Sequence, residues 1–182
     1  MKRMIIVVLR VILFLSMALS VWVLCRTYLI DRITIRGHSM EPTLHEGEKV
    51  WVNKLAKSVG KIGKNDLVVF RRPDNDALLC KRCVAGPGDS ILFIRSPFDT
   101  TLYSRLLYAP AKGDSINLNQ DNHRLYKSLI AWENGADLSE EIKCYRFKHD
   151  WFYFLGDNQE HSVDSRHFGL VPYEHLFGKL TL

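Results

Sequence analysis

Three segments of the 182-residue chain gather groups that can do covalent chemistry. In the run Ala77 to Ala85 (ALLCKRCVA), Lys81 falls mid-strand on one face with Leu79 and Cys83. An ammonium on an apolar strand face is costly unless it is paired or neutral. Desolvation favours the neutral amine, and an amine that is neutral near physiological pH is a general base. An edge-strand lysine would instead reach solvent, and this segment alone leaves both readings open. A second segment, Gly37-His38-Ser39-Met40-Glu41-Pro42-Thr43-Leu44, sets a serine between a glycine turn and a proline-directed stretch. Such a hydroxyl can be exposed and held rigidly, although serine in a turn is most often turn chemistry alone. The third segment, Gly156 to Gly169, packs turn formers, two serines and an Asp/Arg pair behind an apolar strand. Asp164 and Arg166 suit an ion pair that fixes the loop. Ser162 suits a hydrogen bond that positions the lysine amine.

Other chemistries fit less well. A Ser-His-Asp arrangement is the nearest rival, since there are seven histidines. His38 adjoins Ser39, but neighbouring positions seldom allow the side-chain contact that a base needs. His161 and His167 read as exposed loop residues. Cys80 and Cys83 form a CxxC, yet positions i and i+3 of a strand face opposite ways and cannot meet. No second CxxC or HxxxH is present at zinc spacing, so these read as buried strand residues and no metal is expected.

The elements around these residues are short and regularly punctuated, which argues for a mainly β domain. Strands are expected at Ile33 to Arg36, Lys49 to Asn53, Asp66 to Arg71, Ala77 to Ala85, Ser90 to Ile94 and Trp151 to Leu155. The fourth is stopped by the turn Gly86-Pro87-Gly88-Asp89. Residues 95–148 differ in character and read as an insertion. Within it, Asp121 would cap a helix carrying Leu125, Leu129, Ile130 and Trp132, and Gly113-Asp114 precedes another short strand.

Before this domain stands an apolar run, Met4 to Cys25, interrupted by one charge, Arg10. It is long enough to cross a bilayer as a helix, with Arg10 snorkelling toward the headgroups. A second frame runs from Val11 to Ile30, with Trp22 and Tyr28 near the far interface. A cleavable signal peptide is disfavoured: the candidate cleavage site, Ala18-Leu19-Ser20, is buried in mid-run. A lipoprotein reading of Cys25 fails because Leu24 precedes it. Lys2, Arg3 and Arg10 hold the N-terminus inside and place the chain beyond Arg26 on the trans side. Residues 1–30 are thus read as a cytoplasmic N-terminus and single-pass anchor, 31–94 and 149–182 as the β core, and 95–148 as an inserted cap. The net charge of +5 and the pI of about 9.0 come partly from cations bracketing the anchor. They point to membrane lipid and not to nucleic acid, for which no basic stripe with interleaved aromatics exists.

Together the three segments resemble the type I signal peptidases. Ser39 to Leu44 matches that family's nucleophile box, Lys81 to Asp89 its general-base box, and Gly156 to Gly169 its last box. Order, spacing and anchor agree, and Val50 to Lys54 and Asp66 to Arg71 also look like the family. The resemblance implies a β-strand catalytic core with a small inserted α/β cap, Ser39 as nucleophile and Lys81 as general base. It implies Ser162, Asp164, Ser165 and Arg166 in support, Met40 and Pro42 in the substrate-groove motif, no cofactor, and a monomer at the cytoplasmic membrane. The implied substrates are signal peptides of exported preproteins, cut after small residues. Two departures stand out. Gly37 occupies a place where some members carry an oxyanion-binding serine, leaving the oxyanion to backbone N–H groups, chiefly that of Ser39. Cys80 and Cys83 replace branched apolar residues. A non-catalytic anchored module that binds exported chains is the alternative, and it would be expected to have lost Ser39 or Lys81.

Overall fold

The computed structural model describes residues 2–60, 62–93, 105–119, 122–135 and 142–181. The apolar N-terminal run is one helix, α1 (Lys2–Tyr28), of 27 residues. At 1.5 Å per residue it is about 40 Å long, enough to cover a hydrocarbon core of about 30 Å. Its most apolar window has mean hydropathy 2.7 and none of it is buried against protein. The frame ending at Ile30 overshoots, because the helix stops at Tyr28 and Ile30 opens a strand.

The rest is mainly β. In chain order the elements are β1 (Ile30–Thr34), β2 (Lys49–Asn53), α2 (Leu55–Ser58), β3 (Leu67–Arg71), β4 (Leu78–Ala85), β5 (Ser90–Phe93) and β6 (Arg105–Tyr108). They continue with β7 (Ser115–Asn117), α3 (His123–Asn134), β8 (Cys144–Arg146), β9 (Trp151–Leu155), α4 (Ser165–Phe168), β10 (Val171–Pro172) and β11 (Leu176–Thr181). Among the described residues, seven strands form one antiparallel sheet in the order β1-β2-β11-β3-β4-β9-β10. The first strand lies earlier than the expected Ile33 to Arg36. Its ladder with β2 runs from Ile30↔Asn53 to Thr34↔Lys49, after which Ile35 bonds the turn, donating to Glu48 O and accepting from Gly47 N. Ile94 and Asp121, expected as a strand end and a helix cap, lie outside the described residues.

β3 is the centre of the core, and its unbroken apolar run LVVF is buried on both faces. Leu67 and Val69 pack with Met40, Leu44, Val50 and Val52 on one side. Val68 and Phe70 pack with Cys83, Phe154, Val171 and Leu176 on the other. The ribbons β5-β6 and β7-β8, with α3, add a third cluster in which Tyr126, Leu129 and Ile130 meet Phe147, Trp151 and Tyr153. Leu125 and Trp132, expected on the packed side of this helix, lie at its margin. Trp132 is 38% exposed and sets its ring edge-on to Trp151. The Glu133 carboxylate ties α3 down, accepting from Trp151 Nε1, Lys148 N and Tyr145 OH at 2.9–3.0 Å.

Candidate active site

Lys81 sits on β4 opposite Val68 of β3 and is 2% exposed. Its strand alternates as the sequence suggests, with Lys81, Cys83 and Ala85 inward and their neighbours less buried. The lysine amine does not reach solvent. It donates to Ser39 Oγ, which the loop after β1 brings over β4 from 42 residues away in sequence. Burial is the main cause that lowers the Lys81 pKa, with help from the Arg166 guanidinium; Asp164 and Asp157 pull it back up. The geometry therefore pairs a hydroxyl with an amine whose charged form is disfavoured. Of the CxxC pair, Cys83 is buried as expected and Cys80 is half-buried; Cys80 packs toward the Met40 cluster, Cys83 toward the Phe154 cluster, and both are free thiols. Burial pushes each up to about 12, so neither is a nucleophile at neutral pH.

Two devices seat the serine loop. Asn158 donates from its backbone N to Ser39 O at 3.1 Å and from Nδ2 to His38 O at 3.1 Å. Arg82, next to Lys81, makes a bidentate pair with Asp157 at 2.8 and 2.6 Å, and Thr43 Oγ1 donates to the same carboxylate at 2.5 Å. Strand β4, the turn after β9 and the serine loop are thus joined at one carboxylate, which Arg82 holds below its ordinary pKa. The Ser39 amide N–H donates to no described protein group. Met40 is 1% exposed and packs in the core beneath the serine loop. Pro42 is exposed.

The third segment forms a brace. Asp164 is fully buried and accepts from Arg166 Nε at 2.8 Å, Arg166 Nη2 at 2.9 Å and Gly156 N at 3.0 Å. It also caps α4 in a reciprocal box with His167. Burial alone would raise this carboxyl, but Arg166 and the Gly156 N–H outweigh it and hold Asp164 below the ordinary carboxylate value. Ser165 Oγ accepts from Phe154 N at 3.0 Å, bonding the brace to β9. The expected Ser162–Lys81 hydrogen bond is not formed. Ser162 is 6% exposed and its hydroxyl meets no partner in hydrogen-bond geometry, although it lies near enough to Asp164 to help keep it ionised.

The histidines are engaged elsewhere. His38 is exposed; its Nδ1 lies 2.8 Å from Glu41 Oε1 and its Nε2 3.4 Å from Glu46 Oε2, and these carboxylates raise its pKa. His161 pairs with Asn158 at 3.3 Å. His167, expected in an exposed loop, is half-buried because it completes the α4 cap.

Sequence reasoning missed four residues of this site: Thr43, Arg82, Asp157 and Gly156. The polar ones stand inside the motifs, but their pairing spans up to 114 residues and has no local signature. Gly156 is set by space. A Cβ there would overlap Ser162 Oγ and sit 2.6 Å from Ser39 O, closer than real Cβ contacts come. Gly156→Ala is expected to cost about 1–3 kcal/mol of stability. By displacing the Ser39 backbone it should lower kcat/KM roughly 100-fold or more. Thermal melts and peptide kinetics on the purified variant check both.

Comparison with known proteins gives the family. A family model described as "Signal peptidase, peptidase S26" matches residues 8–182. Signal peptidase IB of Staphylococcus aureus (strain Mu50) is 30% identical over 172 residues, covering 93% of this chain and 85% of the relative. Signal peptidase I of Aquifex aeolicus is 29% identical over 193 residues, covering 85% and 75%. A crystal structure of a signal peptidase I from Enterococcus faecalis is 23% identical, with TM-score 0.35, covering 66% of this chain and 97% of that one. The assignment rests on the sequence matches and not on that superposition. The chain belongs to the signal peptidase family of serine peptidases, peptidase S26.

Proposed function

We propose that the protein is a membrane-bound endopeptidase that removes signal peptides from translocated preproteins, with Ser39 as nucleophile and Lys81 as general base. The observation that carries this reading is the buried Lys81 amine bonded to the Ser39 hydroxyl. The neutral amine takes the hydroxyl proton as Oγ attacks the scissile carbonyl. The Ser39 N–H, free of any described protein acceptor, binds the oxyanion. The protonated Lys81 then hands its proton to the leaving amine, which leaves an acyl-enzyme. The amine next activates a water, which releases the product and returns Ser39 to its hydroxyl. Ser162, whose buried hydroxyl is unpartnered, is the group available to orient the amine once Ser39 is acylated. Asp164, Arg166 and Ser165 hold that segment in place.

Strand β9 stops opposite Arg82, so Leu78–Lys81 have no strand partner on that side among the described residues. An extended substrate can add there and present its scissile bond to Ser39. The anchor places this edge where cleavage sites leave the bilayer, with the N-terminus cytoplasmic and the β core on the trans side. Incubating the full chain in lipid with a preprotein, and locating the cut by mass spectrometry, tests the reading. A cut after small residues at the end of the signal peptide is expected. A chain that binds the preprotein without cutting it is instead the non-catalytic module.

Because burial lowers the Lys81 pKa, kcat/KM should rise with pH through that lowered value and level off below the ordinary lysine range. A rise confined to the ordinary lysine range would mean that the working base is solvated.

A further inference from the structure

His38 stands next to the proposed nucleophile, is not bonded to it, and has both ring nitrogens turned toward carboxylates. Its Nδ1 lies 2.8 Å from Glu41 Oε1 and its Nε2 lies 3.4 Å from Glu46 Oε2. A neutral imidazole carries a single N–H, so its other nitrogen would set a lone pair against a carboxylate. Only the imidazolium faces both with N–H groups. Glu41, through its hydrogen bond, and then Glu46 favour that charged form. His45 lies beyond Glu41, with Nδ1 3.9 Å from the same oxygen, and Glu48 accepts from His45 N at 3.1 Å. From β4 and the turn after β9, Lys81, Arg82 and Asp157 bond to Ser39 and Thr43 of the same loop.

This bridge lies where packing is missing. The serine loop is closed at its neck, where Ile35 N donates to Glu48 O at 2.8 Å and Gly47 N to Ile35 O at 2.9 Å. Met40 and Leu44 sink into the core, and Asn158 holds the His38 and Ser39 carbonyls. At Gly37 the chain turns through a φ of +79°, and beyond its chain neighbours no heavy atom stands within 4 Å of where a Cβ would be. Side-chain chemistry holds that stretch instead. Glu46 accepts from Gly37 N at 3.3 Å through Oε1, while its Oε2 faces His38. Glu41 meets the ring across the turn in which Glu41 N donates to His38 O at 3.3 Å. The imidazolium thus joins the carboxylate that holds Gly37 to the carboxylate of Glu41, and Ser39 lies between those two points.

We infer that His38 is a positioning residue for Ser39: as an imidazolium it bridges Glu41 and Glu46 and holds the turn of the nucleophile from the solvent side. This rests on the reading of Ser39 as nucleophile. Exposed charge pairs are individually weak, so the bridge refines the placement of Ser39 and does not create it. Its loss should lower kcat by about 3- to 10-fold and leave KM nearly unchanged. Two groups then act on the pH response with opposite sign. Lys81 supplies activity as it loses a proton, and His38 withdraws a smaller part as it loses its own.

The full chain in lipid, cleaving a preprotein across pH, tests this with His38→Gln and His38→Arg. Arginine keeps several N–H donors and a charge that does not titrate. Lys81 is common to all three proteins, so ratios of kcat cancel its titration. The ratio of the unmodified chain to His38→Arg should fall by about 3- to 10-fold as pH rises through the His38 titration, which NMR of the labelled imidazole locates. The ratio of His38→Gln to His38→Arg should be low and flat. A constant ratio for the unmodified chain, or a His38→Gln variant as active as that chain below the titration, overturns the proposal. A second measurement does not depend on cleavage. In Glu41→Gln/Glu46→Gln the His38 imidazole should titrate at lower pH, and an unchanged midpoint means that there is no bridge. If that midpoint falls but no protein cuts the preprotein, the bridge exists, the nucleophile reading fails and the role of His38 falls with it.

Discussion

Replacing Lys81 with methionine should reduce preprotein cleavage by about 10⁴-fold or more while leaving a chain that melts no lower than the unmodified protein. The first half stems from the chemistry: without the amine, no described side chain is bonded to Ser39 Oγ to take its proton. Removing one member of a nucleophile–base unit costs about as much as removing the unit. The second half stems from burial. Lys81 is 2% exposed in an apolar strand face, and burial there disfavours its charged form. The unfolded chain therefore binds this proton more readily than the folded one between the lowered value and the ordinary lysine value. Folding is opposed while the unfolded amine is charged, and stability rises with pH across that window. Methionine has similar length and no such opposition. A variant that is inactive and equally stable separates function from fold. Retained cleavage would eliminate the lysine mechanism.

The second large effect is opposite in kind. Asp164→Ala should destabilise the protein by about 3 kcal/mol, because it strands the Arg166 charge and leaves the Gly156 N–H without its acceptor. The figure lies at the low end for a broken buried pair, since the Arg166 side chain keeps 20% exposure and a bond to Gln159 O at 2.7 Å. In a domain of this size that lowers Tm by roughly 6–12 °C. Asp164 is held below its ordinary pKa, so its contribution is complete above the ordinary carboxylate range and is lost as pH falls through the lowered folded value. The unmodified protein should thus lose stability in acid, and Asp164→Asn should flatten that loss. A variant that melts like the unmodified protein at neutral pH would remove Asp164 from the brace.

What the sequence disclosed depended on whether the relevant physics is local. Lys81 was legible because a cation amid inward apolar residues contradicts the strand pattern, and such a contradiction marks function. The strands flanking it, β3 and β9, were legible as short apolar runs. β11 was not, although Leu176, Gly178 and Leu180 do alternate inward. Its middle inward residue is a glycine, because a Cβ there would come within 2.7 Å of Asn53 O, and the missing side chain hides the period. The Arg82–Asp157–Thr43 junction was invisible because it joins segments remote in sequence. That the Ser162 hydroxyl lies against Gly156 is a packing constraint that no motif spells out.

The position of β11 has a consequence for how the enzyme comes into being. This strand sits between β2 and β3, yet it is made more than a hundred residues after either. While the chain is still emerging, the sheet is two fragments with open hydrogen-bonding edges, and Asp66 lacks its partner Lys179. Such late, long-range closure is slow. Ser39 follows β1 and Lys81 lies on β4, on opposite sides of β11 in the sheet, so the surface on which they meet is completed by a strand made near the end of the chain.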